Sequence, residues 1–287
     1  MIQARIQSQW ERRIRRANYL VTIYPFAAEG LRFYARVAEL QRGLYDDAAH
    51  LLAGTTKSSE DLLVLRKELA NPALLPRLTS FAAAIGKFAP QPVADAGASL
   101  LHASPEEQRL TVERFLRTGL SSGSSGVEED SLNGGGSALQ ERLLAWLFLQ
   151  PFAEFLAERR ESVVTEFAPL ACPMCGGNPI VGVLRPEGDG GKKSLICMLC
   201  GNEWPFRRIY CPACGEEREP QMGFYASPEI PNARVDVCDT CHTYMKTVDL
   251  TKSGLAVPVV DELAAIPLDL WAREHGYSKL QSNLLGI

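Results

Sequence analysis

The chain has 287 residues, 46% of them hydrophobic and 22% charged, with a formal net charge of −4. Those proportions fit a soluble globular protein with room for one large or two ordinary domains. The negative balance argues against a general polyanion binder, and no apolar segment approaches the roughly 20 residues that span a bilayer.

Ile2, Ile6, Trp10 and Ile14 recur every four residues with Arg and Gln between them, which predicts a basic amphipathic helix. Arg12-Arg13 and Arg15-Arg16 precede the apolar run Tyr19 to Ala28 and imitate a twin-arginine export signal. Pro25 breaks that run, Glu29 and Arg32 follow at once, and no small-x-small cleavage site is present. The reading is a cytoplasmic protein without membrane insertion.

Helical sequence continues to about residue 168. Leu31, Tyr34, Val37, Ala38 and Leu44 carry an apolar face past Pro25. Leu62, Leu63, Leu65 and Leu69 predict another helix, closed by Asn71-Pro72. Ser104-Pro105-Glu106-Glu107 is a helix start, with a serine cap, proline in the first turn and a glutamate reaching back. Residues 121–137 differ: eleven of these seventeen are Gly or Ser, a composition expected to form a flexible loop. Leu143, Leu144, Trp146, Leu147, Phe148, Phe152, Phe155 and Leu156 then predict a buried central helix, kinked or split near Pro151.

All eight cysteines fall in the next stretch, as four Cys-x-x-Cys pairs: Cys172/Cys175, Cys197/Cys200, Cys211/Cys214 and Cys238/Cys241. Such pairs favour metal over cystine, because one short turn puts two sulfurs on the same side and two turns complete four ligands. Between Cys175 and Cys197 lie 21 residues and between Cys214 and Cys238 lie 23, while only 10 separate Cys200 from Cys211. Equal spacing favours a tandem repeat, with one site from the first two pairs and a second from the last two. Pairing first with third and second with fourth is the alternative. Two of the knuckles read Cys-Pro-x-Cys-Gly. The proline fixes φ in the turn and the glycine allows a positive φ after the second sulfur. Four thiolates suit zinc and iron about equally, and rubredoxin, an iron protein, uses the same knuckle. With sulfur at every position neither ion has an open site for Lewis-acid catalysis.

β-forming sequence lies between the knuckles, at Pro179 to Leu184 and Arg234 to Val237, and a last helix is expected from Asp261 to His275, stopping at Gly276. Cys238-Asp-Thr-Cys241-His242 matches a haem-attachment motif, but that use would strand Cys211 and Cys214. A nucleic-acid-binding ribbon is opposed by charge: residues 170–250 hold eight Lys/Arg against ten Asp/Glu. His50, His102, His242 and His275 show no metal-ligand spacing, and no catalytic or phosphate-binding motif occurs. The reading is therefore a binding protein, not an enzyme.

The run from Cys172-Pro-Met-Cys-Gly-Gly-Asn-Pro, through Cys197-Met-Leu-Cys-Gly-Asn-Glu-Trp-Pro-Phe-Arg-Arg-Ile-Tyr-Cys-Pro-Ala-Cys-Gly, to Cys238-Asp-Thr-Cys-His-Thr-Tyr-Met-Lys resembles the FdhE family. The end of the chain, from Asp261-Glu-Leu to Gly276-Tyr277 with Asn283, resembles it too. These are accessory proteins of formate dehydrogenase. The resemblance implies a cytoplasmic maturation factor that binds the catalytic subunit of formate dehydrogenase before export. It also implies two mononuclear tetrathiolate ions in rubredoxin-like modules, with iron favoured and zinc as the other choice. The eight family cysteines fall on the eight here.

The expected architecture is a multi-domain α plus small β protein. An all-α helical domain (1–168) precedes two tandem rubredoxin-like or zinc-ribbon-like modules (169–209 and 210–250) and a C-terminal helical tail (251–287). The metal ligands would be Cys172, Cys175, Cys197 and Cys200 at site 1, and Cys211, Cys214, Cys238 and Cys241 at site 2. Partner contacts are expected near the knuckles, at Trp204, Arg207, Arg208, Tyr244 and Lys246. The other functional readings are rubredoxin-like electron transfer to the same partner and, more weakly, a nucleic-acid ribbon.

Overall fold

Prolines and caps cut the first half of the chain into helices. The computed structural model describes residues 2–52, 62–119, 137–160, 169–187 and 190–286. Helix α1 spans Ile2–Ile23; a single 3-10 turn at Pro25–Ala27 follows, then α2 at Ala28–Leu51. Next come α3 (Leu62–Leu69), α4 (Leu75–Ile85), α5 (Gln91–His102) and α6 (Pro105–Thr118). The sequence marks α3 and α6 but not α4 and α5, which each carry a proline in the first turn, where its missing N–H costs nothing. Helix α6 opens on the expected capping box: Ser104 N donates to Glu107 Oε2 at 2.7 Å, and Glu107 N donates to Ser104 Oγ at 3.3 Å. The Gly/Ser segment 121–137 lies outside the described residues, apart from Ser137 at the start of α7 (Ser137–Glu158).

The residues fall into two compact units, 39–161 and the combination of 1–38 with 162–287. Helix α1 thus groups with the cysteine-bearing half, rather than with the helices of 39–161 as a linear division at residue 168 expects.

In the unit 39–161, α7 is the core helix. Leu144, Phe148, Leu149 and Phe152 are completely buried, and Phe148 packs against Phe81 and Phe152 at centroid distances of 5.9 and 5.3 Å. The helix is neither split nor interrupted at Pro151. Proline has no N–H to give the carbonyl four residues back, which leaves Leu147 O without its helical donor. Gln41 supplies one: its Nε2 donates to Leu147 O at 2.8 Å, with the side chain buried.

The other unit is built on a seven-stranded sheet with the order β3-β2-β1-β6-β5-β4, and β7 beside β6. The strands are β1 (Pro179–Glu187), β2 (Gly190–Cys197), β3 (Glu203–Pro205), β4 (Met222–Tyr225), β5 (Ala233–Cys238), β6 (Thr243–Asp249) and β7 (Ser278–Lys279). Strands β1 to β3 and β4 to β6 are two copies of one antiparallel three-stranded pattern. A parallel pairing of β1 with β6, Gly182 opposite Thr247, fuses them into a single sheet. A β-carbon at Gly182 would collide with Thr247 Oγ1, so glycine is required at this seam. Across the two seam strands, buried Lys193 of β2 pairs with Asp236 of β5 at 2.8 Å, and Thr247 Oγ1 donates to the same carboxylate at 2.7 Å. Burial pushes the Asp236 carboxyl up, but Lys193 and Arg234 outweigh it and hold it below its ordinary range.

The last helix is two helices, α8 (Pro258–Ala264) and α9 (Ile266–Glu274), not the single Asp261–His275 segment expected. Pro267 cannot continue a helix and instead occupies the first turn of the second one. Helix α8 lies on β1 and β6, and α1 lies on α8. Arg16 and Asp261 form a bidentate pair whose Nε contact is 2.9 Å; Asn232 Nδ2 and Val257 N also donate to this carboxylate. Two of the four arginines that imitate an export signal have structural partners: Arg16 holds α8 and Arg13 stacks over Trp10, while Arg12 and Arg15 are exposed.

Gln41→Leu leaves the Leu147 carbonyl unpaired and is expected to cost about 1–3 kcal/mol. Pro151→Ala returns an N–H to α7, so Gln41→Leu in that background should cost far less. Urea unfolding of the four proteins checks this, and an equal cost in both backgrounds would contradict it.

Candidate metal centres

Each Cys-x-x-Cys pair forms a tight turn closed by the backbone. Gly176 N donates to Cys172 O at 2.8 Å, and Gly215 N donates to Cys211 O at 3.0 Å. Cys172 N donates to Gly177 O, and Cys211 N to Glu216 O, both at 2.8 Å. The residue after each second cysteine has positive φ: Gly176 (68°), Gly201 (64°), Gly215 (77°) and, in the fourth turn, His242 (52°). Glycine takes this conformation without steric cost, and histidine is among the residues that tolerate it. His242 is exposed.

The turns meet in sequential order. Cys172, Cys175, Cys197 and Cys200 gather with all sulfurs within 4.8 Å, as do Cys211, Cys214, Cys238 and Cys241. Cys197 ends β2 and Cys238 ends β5, so each hairpin brings its later turn back to its earlier one. Sulfur–sulfur distances are 3.6 Å (Cys172–Cys200) and 3.4 Å (Cys175–Cys197) in the first cluster. They are 3.7 Å (Cys211–Cys241) and 3.8 Å (Cys214–Cys238) in the second. Disulfide sulfurs lie about 2.05 Å apart, and all eight cysteines are free. A tetrahedron with metal–sulfur bonds of about 2.3 Å puts its sulfurs about 3.8 Å apart, so both clusters fit one tetrahedral ion. Cys238 and Cys241 serve the second cluster together with Cys211 and Cys214, which leaves no haem-attachment site there.

The electrostatics point the same way. Hydrogen bonds from neighbouring sulfurs pull the Cys172 thiol down. Burial pushes Cys197 and Cys211 up, and hydrogen bonding with Cys172 pushes Cys200 up. Four sulfurs this close cannot all ionise unaided, and a bound cation removes the conflict by holding every thiol deprotonated. Backbone N–H groups aim at the sulfurs: Met174 N at Cys172, Leu199 N at Cys197 and Ala213 N at Cys211, each at 3.4 Å. Asn202 Nδ2 adds a donor to Cys172 Sγ at 3.7 Å. Donors of this kind offset thiolate charge.

Of the residues expected at the partner surface, Arg207 and Arg208 are exposed. Arg207 stacks over Tyr210 at 3.8 Å and pairs with Glu217. Trp204, Tyr244 and Lys246 are only 3%, 1% and 0% exposed, so they cannot present themselves to another protein. Trp204 Nε1 donates to Pro169 O at 3.1 Å. Tyr244 OH donates to Asp269, and Lys246 pairs with Asp269 and Glu262. Packing over their strands buries these side chains, which proximity to a knuckle in sequence does not reveal.

Two supporting residues were not singled out from the sequence. A β-carbon on Gly177 would stand 3.1 Å from Cys197 Sγ and 3.3 Å from Cys175 Sγ; the signal was the second glycine of Cys-Gly-Gly. Glu216 accepts from Thr240 Oγ1 at 2.7 Å, tying together the two turns of the second cluster. Arg218 and Thr240 hold the Glu216 carboxyl well below its ordinary range.

Residues 171–208 match the family described as "FdhE, central domain", and residues 209–285 match "FdhE, C-terminal domain". Proteins named FdhE homolog are similar over part of the chain. The one from Aquifex aeolicus is 32% identical over 140 residues, 48% of this chain and 50% of that protein. The one from Stutzerimonas stutzeri is 32% identical over 152 residues, 52% of this chain and 47% of that protein. The chain thus spans about half the length of these curated relatives. The crystal structure of the FdhE protein from Pseudomonas aeruginosa superposes with a TM-score of 0.68 at 25% identity, covering 97% of this chain and 95% of that one. Together the matches over residues 171–285 and the shared fold support the FdhE family for this chain.

Gly177→Ala pushes a methyl against two sulfurs that a bound ion does not let retreat. It is expected to weaken zinc binding at the first cluster about tenfold or more. Gly254→Ala, with nothing within 4 Å of the new methyl, should leave binding unchanged. Chelator competition measures both, and equal affinities would contradict the packing argument.

Proposed function

We propose that this FdhE-family chain is a cytoplasmic maturation factor for formate dehydrogenase, one that binds the catalytic subunit and performs no catalysis of its own. The observation that carries the reading is the pair of four-cysteine clusters in the very segment that matches the family's central and C-terminal domains. Each cluster would hold one ion: Cys172, Cys175, Cys197 and Cys200 the first, Cys211, Cys214, Cys238 and Cys241 the second. A bound ion supplies rigid cross-links and, if it is iron, a reducible centre. The protein's sulfurs fill every tetrahedral position, so no position is left for substrate, which favours binding over catalysis.

The side chains set what a partner would meet. Arg207 and Arg208 are exposed beside the second cluster and are the remaining candidates for contact. No described helix is long and apolar enough to cross a membrane.

Electron transfer to the same partner is a second reading, favoured by the exposure of Cys214, which brings the second cluster to the surface. It requires iron, since zinc has no redox chemistry. Nucleic-acid binding is disfavoured by the acidic balance of residues 170–250.

Affinity capture of a formate dehydrogenase catalytic subunit by the full chain tests the proposal. Capture is expected with the wild type and should fall sharply for Arg207→Glu/Arg208→Glu, a change of exposed residues that leaves the clusters intact. Failure of the wild-type protein to capture that subunit would contradict the proposal. Stoichiometric zinc after oxygen-free purification would end the electron-transfer reading alone.

A further inference from the structure

The two clusters share one backbone pattern but not one environment. In the first, Cys172, Cys175, Cys197 and Cys200 are each at most 2% exposed. The residues between its cysteines include Met174, Met198 and Leu199, all buried, and they form an apolar fence around the sulfurs. In the second, Cys211 and Cys238 are buried, Cys241 is half-buried and Cys214 is exposed. The corresponding positions hold Ala213, Asp239 and Thr240, of which Asp239 and Thr240 are exposed. Glu216 stands where the first cluster has Gly177, and its carboxylate accepts from Arg218 and Thr240. A repeat that keeps every ligand and every positive-φ turn, yet exchanges its apolar fence for small and polar residues, has opened one of its two sites.

We infer that the clusters divide the work: the enclosed one is a permanent part of the fold, and the open one is a ligand-exchange site for an incoming thiol or chelating ligand. Cys214 is the sulfur that gives way. The incoming thiol's sulfur bonds to the ion as the ion's bond to Cys214 Sγ breaks. The thiol's proton ends on Cys214, and no atom changes oxidation state. Approach to the first cluster requires displacing Met174, Met198 or Leu199 from the core, whereas approach at Cys214 displaces solvent. The apolar shell of a thiolate site controls access to it in this way. The inference rests on the reading that both clusters hold an ion, and it adds which of the two a thiolate-bearing partner can reach.

Zinc-loaded full-length protein mixed with excess 4-(2-pyridylazo)resorcinol tests it. Release in two phases of equal amplitude is expected, with rates about tenfold or more apart. Cys214→Ser should abolish the fast phase and keep the slow one. Ala213→Met, which restores part of the fence and keeps the backbone N–H that faces Cys211, should slow the fast phase only. Brief treatment of the wild-type protein with N-ethylmaleimide, followed by peptide mapping, should find Cys214 modified before any cysteine of the first cluster. Release in a single phase, a fast phase that survives Cys214→Ser, or first modification at Cys172, Cys175, Cys197 or Cys200 would overturn the inference. Protein that takes up no zinc would overturn the metal reading beneath it.

Discussion

Four sulfurs drawn around one point, twice over, are the constraint on which the cysteine-bearing unit depends. A hairpin of two short strands buries too little apolar surface to be stable alone. Here each hairpin is bounded by two Cys-x-x-Cys turns, and each pair of turns is brought within 4.8 Å, sulfur to sulfur. An ion at that point converts two loose loops into one cross-link, so that metal binding and folding become a single equilibrium. The positive-φ residues after the second cysteines, three glycines and His242, let the turns close tightly enough to do this.

The sheet then multiplies the effect. Parallel pairing of β1 with β6 joins the two clusters' hairpins, and Gly182 leaves room for Thr247 at that seam. The seam is fixed from one face by the Lys193–Asp236 pair, and α8 and α9 lie against the strands through a second charged network. There Lys246 and Lys279 meet Glu262 and Asp269, with Tyr244 and Asn283 filling the remaining acceptor positions. Burial raises the Asp269 carboxyl, and the two lysines more than reverse this. Buried ion pairs contribute little net stability against an apolar core, but losing one partner strands a charge, so such networks tolerate few alternative arrangements. They set how the terminal helices sit on the sheet more than how strongly they bind it.

Much of the site was legible because its signals are local. Cys-x-x-Cys spacing, the glycine after the second sulfur and the similar gaps of 21 and 23 residues favour grouping the ligands in sequence order. The Ser104 capping box was legible for the same reason, since both partners lie within one turn. What was not legible is long-range. Nothing near Pro151 in sequence indicates that Gln41 satisfies the carbonyl its ring orphans and keeps α7 whole. Nothing near Arg16 indicates Asp261, 245 residues away, so α1 reads as part of the helical half when it covers α8 instead. Trp204, Tyr244 and Lys246 neighbour the knuckles in sequence, yet all three are buried, and β6 is covered on both faces from Tyr244 to Val248. A one-dimensional pattern identifies which residues can ligate; only the fold decides which can be touched.

The central claim is that these eight cysteines hold two separate ions, four sulfurs to each. X-ray absorption at the metal edge, with metal quantified per chain on protein purified without oxygen, tests it most directly. The account predicts two ions per chain, each with four sulfur neighbours at about 2.3 Å and no lighter ligand. Nitrogen or oxygen in the coordination shell, or one ion or none per chain, would contradict it.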